Sequence, residues 1–408
     1  MESGFNAVIG QSGGPTAAIN ATLAGVIKGL MESEKVGKIY GMRNGIEGFS
    51  EERLTDLRQY FENEEALELL RQTPAAALGS CRMKITEDPQ LARLFEVIEK
   101  YDIKLFFYIG GNDSMDVIAK LEAYRKEHPE LHNETRFIGV PKTIDNDLCL
   151  TDHTPGFGSA AKFIACIVSE VARDSSVYTT KAVTILEIMG RDAGWLTAAA
   201  LAKEITGYGA DLIYLPESPF DTTRFLADVR ERLDDPKKPY VVVAVSEGLR
   251  DKYGAYTAKS VMSGSVDTFG HAYLAGTGTF LCTLVREKIG CKCRAVEVNV
   301  MQRCAGHFAS KTDLDESQTI GEAAVKTALA GKTGRMMGFE RREEGEYAVD
   351  VVDVDIMDAA NSVRRVPYYF ISPDGRGISP QGIAYLKPLI AGEPEIRMKD
   401  GLPMGFSF

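Results

Sequence analysis

Leu105-Phe106-Phe107-Tyr108-Ile109-Gly110-Gly111-Asn112-Asp113-Ser114 reads as an unbroken apolar run, a tight glycine turn and the polar start of a helix on which Met115, Ile118 and Leu121 recur. A run without polar alternation belongs to a strand covered on both faces, and such strands make parallel sheets. The same order occurs at Ala7 to Ile9, followed by Gly10-Gln11-Ser12-Gly13-Gly14-Pro15 and then by Ile19, Leu23, Ile27 and Leu30 at helical spacing. It returns at Val183 to Ile188, the turn Met189-Gly190-Arg191 and the alanine-rich stretch Trp195 to Lys203. Further strands are expected at Phe137 to Val140, Leu212 to Leu215, Tyr240 to Val245 and Ala295 to Val300. Helical stripes at Phe225, Val229, Leu233 and at Leu281, Leu284, Val285, Ile289 separate the later ones.

The fold class expected is therefore α/β: two doubly wound, Rossmann-like domains with mainly parallel sheets and an active-site cleft between them. Motifs spread from Gly10 to Arg303 need two such sheets facing one cleft. The expected division is 1–155 plus about 301–350 for one domain and 156–300 for the other. Residues 351–408, with Pro367, Pro373, Pro380, Pro388, Pro394 and Pro403, read as an irregular extension packing on the body or a subunit interface.

Composition sets outer limits. The chain has 408 residues, 44% of them hydrophobic, which is ample for two cores. A net charge of −11 argues against nucleic-acid partners, whose phosphate backbone requires a broad basic face. No apolar run approaches the roughly 18 residues of a membrane span, and Glu2 sits where a secretory signal would carry positive charge, so a cytoplasmic location is expected. The seven cysteines lack CxxC spacing and read as reduced thiols. His128 and His132 have a metal-like spacing, but Pro129 interrupts the helix it assumes, so both read as surface residues.

Pro141-Lys142-Thr143-Ile144-Asp145-Asn146-Asp147, directly after the Phe137 to Val140 strand, puts a cation and two carboxylates on one turn. An ordinary Asx-capped turn does not need two acids and a lysine together. Gly13 and Gly14 sit in a turn whose backbone N–H groups, opening a helix, can cradle phosphate. The turn lacks the GK[ST] ending of a P-loop and the GxGxxG of a dinucleotide site. Asn112, Asp113 and Ser114 add an amide, a carboxylate and a hydroxyl that suit a hard cation bridging phosphate oxygens, although capping would explain Asn112 or Asp113 alone. Arg82 and Arg191 could clamp phosphate, Glu247 could accept sugar hydroxyls, and Arg294 and Arg303 could hold the phosphate end of a sugar.

Taken together, Gly13-Gly14, Leu78-Gly79-Ser80-Cys81-Arg82, Gly110-Gly111-Asn112-Asp113-Ser114, Pro141 to Asp147, Met189-Gly190-Arg191, Ser246-Glu247-Gly248 and Gln302-Arg303 resemble the phosphofructokinase family, in family order, over about the first 340 residues. The resemblance implies Mg2+ and phosphorylation of fructose 6-phosphate at its 1-hydroxyl. By that resemblance Asp145 takes the hydroxyl proton, Asp147 supports metal or transition state, Lys142 and Arg191 complete the catalytic set, and Thr143 contacts substrate. Met189, Gly190, Glu247, Arg294 and Arg303 line the sugar-phosphate site, with Arg294 supplied across a subunit interface of a homodimer or homotetramer. Gly13, Gly14, Arg82, Asn112, Asp113 and Ser114 face the phosphoryl donor, and Asn112, Asp113 and Asp147 are the metal candidates.

Two positions bear on the donor. The ATP-using branch generally has glycine where this chain has Asp113 and Lys142, and the pyrophosphate-using branch resembles this chain at both. A carboxylate about 4 Å from an ATP α-phosphate would cost roughly 4 kcal/mol at an effective dielectric near 20, if no cation intervenes. Pyrophosphate is thus the expected donor. An ATP-dependent phosphofructokinase and a non-catalytic phosphosugar sensor are the other readings, the latter opposed by intact Asp145, Asp147 and Arg191. The chain departs from the family pattern at Asn112, which replaces the usual aspartate, and at Val300, where ATP-type members have histidine. Near residue 182 an expected cross-subunit arginine is absent, with Lys181 beside it.

Overall fold

Residues 4–131, 133–258, 276–359 and 363–408 are described by the computed structural model of the chain, and Glu2 and His132 lie outside them. In chain order the strands of the two larger sheets are β1 (Phe5–Gln11), β2 (Val36–Met42), β3 (Leu54–Asp56), β4 (Ile103–Gly110), β5 (Arg136–Pro141), β6 (Ala182–Ile188), β7 (Leu212–Tyr214), β8 (Tyr240–Ser246), β9 (Lys292–Glu297), β10 (Arg335–Arg341) and β11 (Val349–Asp355). Seven of them form one sheet in the order β11-β10-β5-β4-β1-β2-β3, antiparallel only at its two ends. The other four form a wholly parallel sheet, β7-β8-β6-β9.

The apolar runs work as expected of strands covered twice. On β4, Leu105, Phe107 and Ile109 pack toward helices Ile19–Met31 and Lys311–Leu329. Phe106 and Tyr108 pack on the opposite face against helices Asp88–Lys100 and Asn112–Glu127. All five are fully buried, and each such side chain contributes about 1.5–3 kcal/mol through burial. The smaller sheet repeats the arrangement. Leu186, Ile188, Val242 and Ala244 meet helix Phe157–Ser176, while Val183, Ile185, Val241 and Val243 meet helices Thr222–Leu233 and Thr277–Lys288.

Three sequence expectations are corrected. Trp195 to Lys203 is not one helix: Trp195–Ala198 and Lys203–Thr206 are separate short turns, joined through 3₁₀-type bonds from the N–H groups of Ala199 and Ala200. Every residue from Trp195 to Ala202 is buried, so the path follows core packing on all sides and overrides alanine's helical preference. The last strand of the smaller sheet runs over Lys292–Glu297 rather than Ala295 to Val300, because Asn299 turns into the left-handed region at φ 47° and Val300 opens a short helix. The region beyond 350 is more regular than its prolines suggest. Residues 351–355 belong to β11, and Pro380 begins helix Pro380–Leu389, where a missing N–H is harmless and the Ser379 side chain caps. The tail wraps back over the larger sheet, with Phe406 stacked on Phe61 at 5.1 Å.

Helix Phe157–Ser176 has glycine at its N-cap and no capping side chain of its own. Asp313, from helix Lys311–Leu329, supplies the cap. Its carboxylate accepts from Gly156 N at 2.8 Å, Ser159 N at 2.9 Å and Ser159 Oγ at 2.5 Å, which pins the leading helix of the smaller sheet to a helix of the larger one. Asp313→Ala leaves three buried donors unsatisfied. A loss of about 2–4 kcal/mol in unfolding free energy is expected, read from the urea midpoint and slope.

Candidate active site

The loops rich in candidate residues leave the carboxyl ends of six strands and converge on one cleft of about 550 Å³. β1 delivers Gly13 and Gly14, β4 delivers Asn112 to Ser114, and β5 delivers Lys142 to Asp147. From the smaller sheet, β6 delivers Met189 to Asp192, β8 delivers Glu247, and the chain after β9 delivers Arg303. This is where a doubly wound sheet places ligands, since helix N-termini and strand ends open outward there.

The glycine turn after β1 is held by its neighbours. Gly13 lies at φ 74°, a conformation that favours glycine, and its N–H bonds Cys81 O at 3.3 Å. Ser80 Oγ donates to Gly13 O at 2.7 Å, so the arm carrying Arg82 is tied to the turn. Lys142 runs beneath both. Its ammonium donates to Ser12 O at 2.8 Å and Gly14 O at 2.6 Å, and the residue is only 2% exposed. Two carbonyls stabilise the cation but supply no full counter-charge. Burial therefore pulls its pKa down to about 7, opposed by Asp145 and aided by Arg303 and Arg82.

From Lys142 to Leu148, burial alternates. Ile144, Asn146 and Leu148 point into the protein, while Thr143, Asp145 and Asp147 are partly open to the cleft. Burial raises the Asp145 carboxyl above its ordinary range, and Lys142 and Arg191 act against that. Asp147 rises to about 7, through burial first and then the charge of Asp145. Asn112 Nδ2 donates to Asp147 Oδ2 at 3.2 Å, and Asn112 Oδ1 is a buried acceptor with no hydrogen-bond partner among the described residues. Among those residues no group of three His, Cys, Asp or Glu side chains is arranged to hold a metal ion. Asp113 opens to solvent at the rim, 4.0 Å from Lys84 Nζ.

On the facing sheet, Glu247 Oε1 accepts from Gly190 N at 3.4 Å, and burial pushes its carboxyl up to about 8. Gly190 O accepts from Ser246 Oγ at 2.5 Å. Gly248 is required by space: a Cβ there would lie 2.0 Å from Arg191 O. Arg303, expected at the sugar phosphate, has its guanidinium against Gly14, 3.3 Å from where a Cβ would stand, so it reaches across to the turn after β1.

Similarity to known proteins bears on the whole chain. Residues 6–328 match the family described as Phosphofructokinase. The chain belongs to the phosphofructokinase family. It is 41% identical over 406 residues to a pyrophosphate--fructose 6-phosphate 1-phosphotransferase of Halomonas elongata, covering 98% of this chain and 94% of that protein. It is 42% identical over 411 residues to the protein of the same name from Xanthomonas campestris, with the same coverage. The crystal structure of a pyrophosphate-dependent phosphofructokinase from Nitrosospira multiformis superposes with a TM-score of 0.86 at 39% identity, covering 98% of this chain and 95% of that one.

Of the residues assigned from sequence to catalysis, donor, substrate or metal, Arg294 alone is absent from the cleft lining. It lies on β9 opposite Thr184, exposed. Lys181 also faces away, in a second cavity with Arg230 and Lys292. The cleft contains residues that no motif announced. Asp192 follows Arg191 and pairs with Arg250 at 2.6 Å, and its neighbour in the turn could have flagged it. Val363 enters from far along the chain, and nothing local marks it. The electrostatic cost assigned to Asp113 assumed no cation nearby, and Lys84 Nζ stands 4.0 Å from its carboxylate. With both side chains about half exposed, that cost is largely screened.

A lysine whose pKa stands near 7 takes up a proton when a polyanion arrives beside it. At pH 8, without added divalent metal, binding of inorganic pyrophosphate should carry more proton uptake in the wild type than in Lys142→Met, read as the buffer-ionisation dependence of the calorimetric enthalpy.

Proposed function

We propose that the chain catalyses Mg2+-dependent, reversible phosphoryl transfer from pyrophosphate to the 1-hydroxyl of fructose 6-phosphate, giving fructose 1,6-bisphosphate and phosphate. The observation that carries the donor reading is the Lys142 side chain lying under the glycine turn. Its ammonium stands 3.5 Å from where a Cβ on Gly13 would lie and brings a cation to the bottom of a compact anion site. The names of the relatives at 41% and 42% identity support the same reaction.

The larger sheet is assigned the pyrophosphate and metal, through Gly13, Gly14, Arg82, Asn112, Asp113 and Ser114. The smaller sheet is assigned the sugar, through Met189, Gly190 and Glu247, with Thr143 at the junction. Asp145 accepts the proton as the sugar oxygen attacks the terminal phosphorus, and the bond to the leaving phosphate breaks. Its raised pKa suits a base working near neutrality. Lys142, Arg191 and Arg303 surround the migrating group with positive charge. In a loose transition state, alignment and charge supply most of the acceleration. Asp147 and Asn112 Oδ1 would hold a hard cation, with Asp113 nearby at the rim. Bound there, Mg2+ would neutralise charge on the donor oxygens.

Arg294, exposed on β9, is assigned to the cleft of a second copy in a homodimer or homotetramer. No described helix is long and apolar enough to cross a membrane, and the reading is of a cytoplasmic enzyme.

A coupled assay with each donor in turn tests the reaction: turnover with pyrophosphate is expected, and preference for ATP would overturn the donor assignment. In the same assay Asp145→Asn should lower kcat by about 100-fold or more while KM moves little. Retention of near-normal turnover would remove Asp145 from the role of base. Because Lys84 screens Asp113, Asp113→Gly alone should leave ATP binding weak. Asp113→Gly combined with Lys142→Gly, which opens the space beside Gly13, should bring measurable ATP affinity by calorimetry.

A further inference from the structure

The family match ends at residue 328, yet the chain beyond it returns to the catalytic loop. Val363 bridges Leu148, the Arg364 N–H donates to Asp147 O at 2.7 Å, and helix Pro380–Leu389 brings Tyr385 against the inner side of the same loop. Tyr385 is 7% exposed, and its hydroxyl accepts from Asn146 Nδ2 at 3.1 Å and donates to Asp152 O at 2.6 Å. We infer that Tyr385 is a positioning residue for the phosphoryl transfer proposed above: by holding Asn146 inward it keeps Asp145 and Asp147 turned toward the cleft.

Asn146 stands between the two carboxylates and faces the other way. It is fully buried, while its neighbours are partly open, so anchoring Asn146 fixes which side of the loop the acids occupy. Its backbone lies in the left-handed region at φ 52°, which asparagine tolerates better than most residues but which costs about 1 kcal/mol unless surroundings hold it. The holding groups are few. Asn146 Oδ1 accepts from Thr154 N at 3.0 Å, and among the described residues Asn146 Nδ2 donates only to the Tyr385 hydroxyl. A base displaced by about 1 Å from the attacking hydroxyl loses on the order of 100-fold in rate.

Tyr385 is itself well seated. Its ring packs on Trp195 at 5.4 Å and Phe370 at 5.2 Å, and the guanidinium of Arg341 lies over it at 4.4 Å. Removing only the hydroxyl therefore leaves the helix docked. Tyr385→Phe should lower kcat about 10- to 100-fold with both KM values within about 3-fold of wild type, in full-length protein shown by thermal melting to be folded. Asn146→Gly, which keeps access to positive φ but deletes the side chain, should produce a similar kcat loss. The double variant should be no worse than the more impaired single one, since both cut one contact. A folded Tyr385→Phe with kcat within 2-fold of wild type overturns the inference, and so does full additivity in the double variant. An inactive wild type overturns the proposed reaction and this inference with it, whereas an active wild type beside an unaffected Tyr385→Phe overturns this inference alone.

Discussion

A lysine buried between two carbonyls is the constraint around which this cleft is built. Lys142 leaves β5 and turns under the β1 loop, where Ser12 O and Gly14 O hold its ammonium. Withdrawing an ammonium from water is expensive without a counter-charge, which is why its proton affinity falls. Phosphate oxygens entering the turn would supply that charge. The cleft is thus preorganised for a polyanion, with the desolvation of the lysine already accomplished in the fold.

The carboxylates across the cleft meet the complementary demand. Asp145, Asp147 and Glu247 are all raised by burial first, which opposes their ionisation. Lys142 and Arg191 act against the rise at Asp145, the residue proposed as the base. The rigidity needed to maintain this arrangement comes from elements beyond the site: Asp313 joins the leading helix of one sheet to a helix of the other, and the segment from Val363 to Tyr385 backs the loop between them.

Discrimination between donors shifts accordingly from charge to shape. Asp113 was the obvious electrostatic barrier, but it stands half exposed beside Lys84, where water and a cation weaken its field. The Lys142 stem, in contrast, is buried and occupies volume that a glycine would leave open. Volume in a packed interior cannot be screened.

What the sequence determined by itself was whatever depends on neighbours along the chain. Apolar runs at Leu105 to Ile109 and Val183 to Ile188 dictated doubly covered strands, glycine turns marked their outer ends, and the Lys142 to Asp147 loop put a cation and two acids on one turn, because periodicity and local turn residues act over a few positions. Tertiary structure decided the rest. It broke Trp195 to Lys203 into two turns, set Arg303 against Gly14, placed Lys84 beside Asp113, and carried Val363 and Tyr385 to a loop more than 200 positions earlier in the chain. Those outcomes turn on packing volume, solvent exposure and contacts between distant segments, none of which has a signature in adjacent residues.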